Sequence, residues 1–377
     1  MFKYGIENLD KHLDLFKDKR VGLLTNPTGV DQNFKATVDI LNEKTNLTVL
    51  FSPEHGLRGN VQAGEKLDTY IDEETGVTVY SLYGNTRKPT KEMLENVDII
   101  CYDIQDVGAR FYTYIYSLAH TMEAAKEHGK KVVVFDRPNP VGTTIEGNIL
   151  DLEYRSFIGY YPIPQRYGMT VGELAMLFNE EFSIDCDLEV IKMSSYKRDT
   201  TWYDYNLPFI LPSPNLPTVE SLFVYLATCL FEGTNVSEGR GTTKPFSFIG
   251  APWFKSKELV KIFTEKIPHA KFRSIYFTPT ISKHKDKLCS GVEIYITDYK
   301  KFEPVIAGMI MVKEIEKLHE EFNYNQPWSE FGKQMIDLNV GDDFIRNGSL
   351  SIAEIKEKFA HDEKLFSQIK EQYHLYD

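Results

Sequence analysis

Four short, nearly unbroken apolar runs, at 21–25, 47–51, 97–102 and 132–135, constrain this chain more than any other feature of its sequence. Runs so brief and continuous read as strands covered on both faces, the situation of a parallel sheet. Helical spacing fills the intervals. Residues 36–41 precede the second run, and 114–128 set Ile115, Leu118, Ala119, Met122 and Ala125 on one face before Gly129 stops the pattern. Strand and helix alternating in this way predict a doubly wound α/β architecture with a mostly parallel sheet.

The residues that follow each run carry the chemistry. The first run ends in Asn26-Pro27-Thr28-Gly29 and the second in Ser52-Pro53-Glu54-His55-Gly56-Leu57-Arg58-Gly59. The third leads into Asp103-Ile104-Gln105-Asp106-Val107-Gly108-Ala109-Arg110, and the fourth into Asp136-Arg137-Pro138-Asn139-Pro140. Open α/β sheets hold ligands in a crevice outside the carboxyl ends of their strands, so these four loops mark the expected site. Downstream, Thr170-Val171-Gly172-Glu173 has the form of a capping box, which makes Glu173 a helix cap rather than a catalyst. Pro212-Ser213-Pro214-Asn215-Leu216-Pro217 is a rigid extended loop before a helix at 219–230. Residues 232–235 and 237–242 form a second polar, glycine-rich stretch of the kind that serves a site.

The texture changes around 252–255. Beyond it the chain reads as a smaller α+β unit, with strands near 272–278 and 291–297 and a helix over 304–321. A last pair of helices is expected, the first opened by the capping box Ser351-Ile352-Ala353-Glu354 and the second carrying Leu365, Ile369 and Tyr373.

Several function classes are disfavoured. The formal net charge is −12 and no stretch gathers Lys and Arg, so nucleic acid is not an expected partner. Apolar runs such as 305–312 fall short of the roughly 20 residues that span a bilayer, so no membrane partner is expected. Residues 1–20 mix Lys, Asp and Glu with apolar residues and lack the signal-peptide pattern, which points to a cytoplasmic location. Cys101, Cys186, Cys229 and Cys289 stand far apart among apolar neighbours and read as reduced, buried thiols. Neither Gly-x-Gly-x-x-Gly after the first strand, nor Gly-x-x-x-x-Gly-Lys, nor Gly-x-Ser-x-Gly occurs, which disfavours a dinucleotide cofactor, a P-loop and a serine nucleophile. His55, Asp103, Asp106 and Asp136 lack metalloenzyme spacing, so no metal is expected and His55 reads as a hydrogen-bonding partner.

Paired carboxylates are the strongest chemical reading. Glu54 stands at the tip of a buried strand, where partial desolvation favours a retained proton, as a general acid needs. The second carboxylate is one of Asp103, Asp106, Asp136, Glu146 and Glu238, and the sequence leaves that choice open. Arg58, Arg110, Arg137 and Arg240 share the loops with these acids. They either grip a substrate carboxylate by paired hydrogen bonds or neutralise the acids internally.

These loops resemble those of the NamZ-type exo-β-N-acetylmuramidases. The resemblance runs in order along nearly the whole chain, through the four strand-end loops and Pro212-Ser-Pro-Asn-Leu-Pro217. It continues through Glu238-Gly-Arg-Gly-Thr242, Gly250-Ala-Pro-Trp253 and Tyr373-His-Leu-Tyr376. It implies a Rossmann-like catalytic domain, here 1–251, an α+β auxiliary domain, here 252–377, and an active site between them. The implied reaction releases terminal N-acetylmuramic acid (MurNAc) from the non-reducing end of peptidoglycan fragments such as MurNAc-GlcNAc. A small muramyl saccharide is then the expected partner, and its lactyl carboxylate suits the arginines. Carried over residue by residue, Glu54 is the principal catalytic acid, with Glu146 and Glu238 as candidate partners. His55, Arg58, Asp103, Gln105, Asp106, Arg110, Asp136, Arg137, Asn139, Asn215 and Arg240 are the expected substrate-binding residues. The competing reading is a non-catalytic muropeptide-binding or sensor protein that uses the same cleft.

Overall fold

The computed structural model describes residues 1–54, 56–58, 69–84, 86–328 and 332–377. In chain order the strands of its first part are β1 (Arg20–Thr25), β2 (Asn46–Ser52), β3 (Tyr70–Ile71), β4 (Thr78–Ser81), β5 (Ile99–Asp103), β6 (Lys131–Phe135), β7 (Glu146–Ile149), β8 (Pro164–Arg166) and β9 (Asp187–Ile191). β7 and β8 pair with each other, and the rest form one sheet in the order β3-β4-β2-β1-β5-β6-β9. Every neighbouring pair in it is parallel except β3 on β4. Without β3, the strands run third, second, first, fourth, fifth, sixth in chain order. This is the Rossmann arrangement, with its reversal between β1 and β5. The four expected strands are present, and β4 and β9 widen the sheet beyond them.

Strand periodicity divides the core into two layers. Val21 and Leu23 of β1, Ile99 and Cys101 of β5, and Val133 and Phe135 of β6 face one cluster. Leu24, Ile100, Tyr102, Val132 and Val134 face the other. Side chains alternate across a pleated sheet, and apolar burial on both faces is what made these runs continuous in the sequence. The helices α1 (Thr37–Lys44), α2 (Tyr114–Glu127) and α3 (Val171–Glu181) link the strands, and the predicted apolar stripe of α2 is buried. The Thr170 hydroxyl accepts from the Glu173 N–H, and Glu173 accepts from the Thr170 N–H, as the capping box requires. All four cysteines are free and buried.

The second part holds a three-stranded antiparallel sheet, β10 (Phe248–Ala251), β11 (Ala270–Phe277) and β12 (Cys289–Ile296), with β12 central. Its first strand therefore lies on the amino-terminal side of the boundary expected at 251/252. The helices of this part are α4 (Val219–Thr228), α5 (Ser256–Lys266), which packs on the sheet, α6 (Pro304–Leu318), α7 (Met335–Val340) and α8 (Ile352–Lys370), which packs on β7 and β8. Helix α4 and residues 304–312 of α6 are apolar nearly all round, the signature of helices buried on every side. They meet backbone to backbone at Gly308, where a Cβ would fall 2.2 Å from the Ala227 carbonyl oxygen. The expected pair of terminal helices is a single helix. No Gly or Pro interrupts 352–370, and its Ala, Glu and Lys are strong helix formers. Beyond α8 the tail returns to the sheet, where the Tyr376 hydroxyl donates to Asp136 Oδ2 at 2.5 Å and accepts from the Met193 N–H at 2.9 Å. Among the described residues no helix is long and apolar enough to cross a membrane.

Candidate active site

A cavity of about 240 Å³ opens between the two parts of the chain, beside the turn that follows β2. Glu54, Tyr112, Asn215, Tyr225, Glu232 and Arg240 line it, with Phe111, Phe246 and Trp328 among its aromatic walls. A larger open groove of about 640 Å³ lies at the amino-terminal edge of the sheet beside Lys126, Lys130 and Lys131. Doubly wound sheets carry their chemistry at the opposite edge, where Glu54 stands.

Glu54 is placed by a tight turn. The Gly56 N–H donates to the Pro53 carbonyl at 3.2 Å, and Gly56 takes a φ of 76° that favours glycine. The Glu54 side chain is half-buried, and among the described residues no group donates to its carboxylate. Opposite it, the hydroxyls of Tyr112 and Tyr114 both donate to the Pro212 carbonyl, at 3.1 and 2.7 Å, which pins the 212–217 loop and with it Asn215. Burial, and to a smaller extent the Glu54 charge, pushes both phenols well above their ordinary pKa, so they stay protonated donors.

The far wall comes from the turn that continues α4. Residues Cys229–Gly233 form a short 3₁₀ helix carrying Glu232, whose Oε1 accepts from Arg240 Nη2 at 2.5 Å and Nε at 3.2 Å. Burial opposes the Arg240 charge, yet Glu232 and Glu238 more than offset it and raise the pKa of the guanidinium. Glu238 is buried behind Arg240, with Oε1 3.4 Å from Arg240 Nε and Oε2 accepting from Lys283 Nζ at 2.8 Å. Gly241 explains the second glycine of Glu238-Gly-Arg-Gly-Thr242. Its φ is 78°, and a Cβ there would fall 2.6 Å from the Ile281 nitrogen on the loop that carries Lys283.

The other expected residues are placed elsewhere. Asp103 and Arg137 form a buried, two-point ion pair of 2.5 and 2.9 Å below the strand ends, joined by the Thr37 hydroxyl. Gln105 donates to the Asp106 and Pro138 carbonyls, and Asn139 to the Met169 carbonyl. Asp106 accepts from Tyr167 and from the Gly108 N–H; burial pushes its pKa up to about 6. Asp136 accepts from Thr170, Gly172, Arg137 and Tyr376 and is pushed by burial to about 7. Arg110 is fully buried and donates to the carbonyls of Asn148, Ile163, Asn339 and Val340, and Arg58 pairs with Asp72. Glu146 is buried at the amino end of α6, where the Ile306 N–H donates to it at 2.9 Å and Arg166 lies 3.9 Å away. Burial pushes its pKa up to about 8. His55 lies outside the described residues. The structure thus gathers Glu54, Asn215 and Arg240 at the cavity and shows internal partners for all four arginines.

Glu232 and Tyr225 are cavity residues that the sequence did not single out, whereas Tyr112, a candidate for stacking on a sugar face, does line the cavity. The available signal was the position of Glu232 in the same polar stretch as Glu238 and Arg240. Among the described residues no three His, Cys, Asp or Glu side chains converge as a metal centre would require.

Comparison with known proteins bears on both halves. The family model described as exo-β-N-acetylmuramidase NamZ, N-terminal, matches residues 21–220, and its C-terminal counterpart matches 223–376. The peptidoglycan β-N-acetylmuramidase NamZ of Bacillus subtilis (strain 168) is 54% identical over 369 residues, covering 96% of this chain and 87% of that protein. Two crystal structures of DUF1343 family proteins from Bacteroides fragilis NCTC 9343 share the fold, with TM-scores of 0.91 and 0.81 at 36% and 35% identity. Each match covers 100% of this chain and 99% of the other. The chain belongs to the NamZ family of exo-β-N-acetylmuramidases, glycoside hydrolases by class.

Proposed function

We propose that the chain releases terminal, β-linked MurNAc from the non-reducing end of peptidoglycan fragments such as MurNAc-GlcNAc, with Glu54 as general acid. The observation that carries this reading is the place of Glu54, a half-buried carboxylate on the wall of a sugar-sized cavity at the carboxyl edge of the sheet. A proton delivered there to the bridging oxygen lets the aglycon leave as a neutral alcohol. The aromatic walls suit the faces of a pyranose ring. Arg87 lies in the same wall, 4.1 Å over the Phe157 ring. The identity to a protein named as a peptidoglycan β-N-acetylmuramidase supports the same substrate class.

Incubating the purified chain with MurNAc-GlcNAc tests the reading. Free MurNAc and GlcNAc in equal amounts are expected, and binding without cleavage would favour the sensor alternative.

A further inference from the structure

We infer that Glu232 is the second carboxylate of the reaction, the group that takes a proton from the attacking water, and that Glu238 and Lys283 are positioning residues acting through Arg240. This rests on the reading of Glu54 given above. The usual glycosidase arrangement places a second carboxyl group beside the acid on the same cavity. Among the described residues the cavity is lined by two acids, Glu54 and Glu232. The alternatives are engaged elsewhere. Glu146 lies under α6, Glu238 spends both oxygens on Arg240 and Lys283, and Asp103 is paired with Arg137.

The hydrogen bonding of Glu232 is asymmetric in a useful way. Both Arg240 donors fall on Oε1, while Oε2 is met by the Cys229 thiol at 3.5 Å, a weak donor that burial keeps protonated. Oε2 therefore keeps lone pairs for a water molecule. In the step, Glu54 gives its proton to the bridging oxygen and the C1–O electron pair leaves with the aglycon. The water oxygen bonds to C1, and one of its protons passes to Glu232. Exchange of one proton from Glu232 to solvent and one from solvent to Glu54 restores both groups.

The backbone around Glu232 is clamped from the second part of the chain. Lys283 Nζ donates to the Phe231 and Val236 carbonyls at 2.5 and 3.1 Å as well as to Glu238, and Asn325 donates to the Glu232 carbonyl at 2.8 Å. A carboxylate held from both main chain and side chain is oriented before substrate arrives, which is where proximity effects gain most.

Steady-state kinetics on MurNAc-GlcNAc and on p-nitrophenyl MurNAc glycoside separate the roles. For Glu232→Gln a loss of kcat of about a thousandfold is expected on both substrates with KM little changed. For Glu54→Gln the loss is expected to be far smaller on the p-nitrophenyl glycoside, whose aglycon departs without a proton. Lys283→Met is expected to lower kcat about tenfold at constant KM, and Lys283→Arg to restore it. Glu232→Asp keeps a charge for Arg240 but withdraws it from the substrate, so it is expected to fold and to lose kcat about a hundredfold. Near-normal turnover by Glu232→Gln or Glu232→Asp, beside an inactive Glu54→Gln on the disaccharide, overturns this inference alone. Near-normal turnover by Glu54→Gln on the disaccharide overturns the reading beneath it. A loss in Lys283→Met that Lys283→Arg does not restore overturns the positioning role.

Discussion

Arg240 rests two guanidinium donors on a single oxygen of Glu232, at 2.5 and 3.2 Å, and leaves the other oxygen to a thiol. A planar fork fixes the carboxylate in one orientation, which a lysine with the same charge cannot do. Arg240→Lys is therefore expected to lower kcat for MurNAc release at least about tenfold while the melting temperature moves by only a few degrees. Unchanged kinetics in that variant would mean that charge alone suffices.

The protein should lose stability as pH rises through neutrality. Burial pushes Asp106, Asp136 and Glu146 up to about 6, 7 and 8, so each binds its proton more tightly folded than unfolded. Their stabilising contribution is fully present below about pH 4 and is lost as pH rises through each folded value. Thermal melting followed by circular dichroism is expected to fall from pH 5 to pH 8. Glu146→Gln should flatten the upper part of that decline, with MurNAc release within about threefold of wild type, because Glu146 does not line the cavity. An unaltered slope would contradict the burial argument.

Arg110 is predicted to act on stability and not on substrate. Its replacement by Met removes a buried donor from four carbonyls, of which Ile163 keeps the Leu150 N–H and Val340 keeps Asn148 and Gln165, a loss of about 3 kcal/mol. Urea denaturation should show that loss, while KM for MurNAc-GlcNAc stays unchanged in the folded fraction. A raised KM at unchanged stability would return Arg110 to the substrate.

The strands that position the site were legible because burial on both faces leaves continuous apolar runs, as at β1, β2, β5 and β6. Strands β4, Thr78–Ser81, and β9, Asp187–Ile191, were not, since both are partly exposed and carry no such run. The loops after the strands were legible too, but their internal traffic was not. Whether Arg137 meets a substrate or Asp103 depends on where β5 and β6 end side by side, a tertiary fact. Glu232 escaped notice for a similar reason, because Asn325 on its carbonyl and Lys283 on the adjoining Phe231 carbonyl come from distant segments. The helix at the end of the chain shows the reverse error. Leu365, Ile369 and Tyr373 suggested a second helix, yet the buried seam of α8 runs through Ile355, Phe359 and Phe366, and Leu365 is 43% exposed.

The place of Glu54 at the cavity wall is tested most directly by Glu54→Gln, assayed for free MurNAc from MurNAc-GlcNAc beside a melting curve. An intact fold with release lowered by about a thousandfold is the expected result. Wild-type release from a correctly folded Glu54→Gln protein would contradict it.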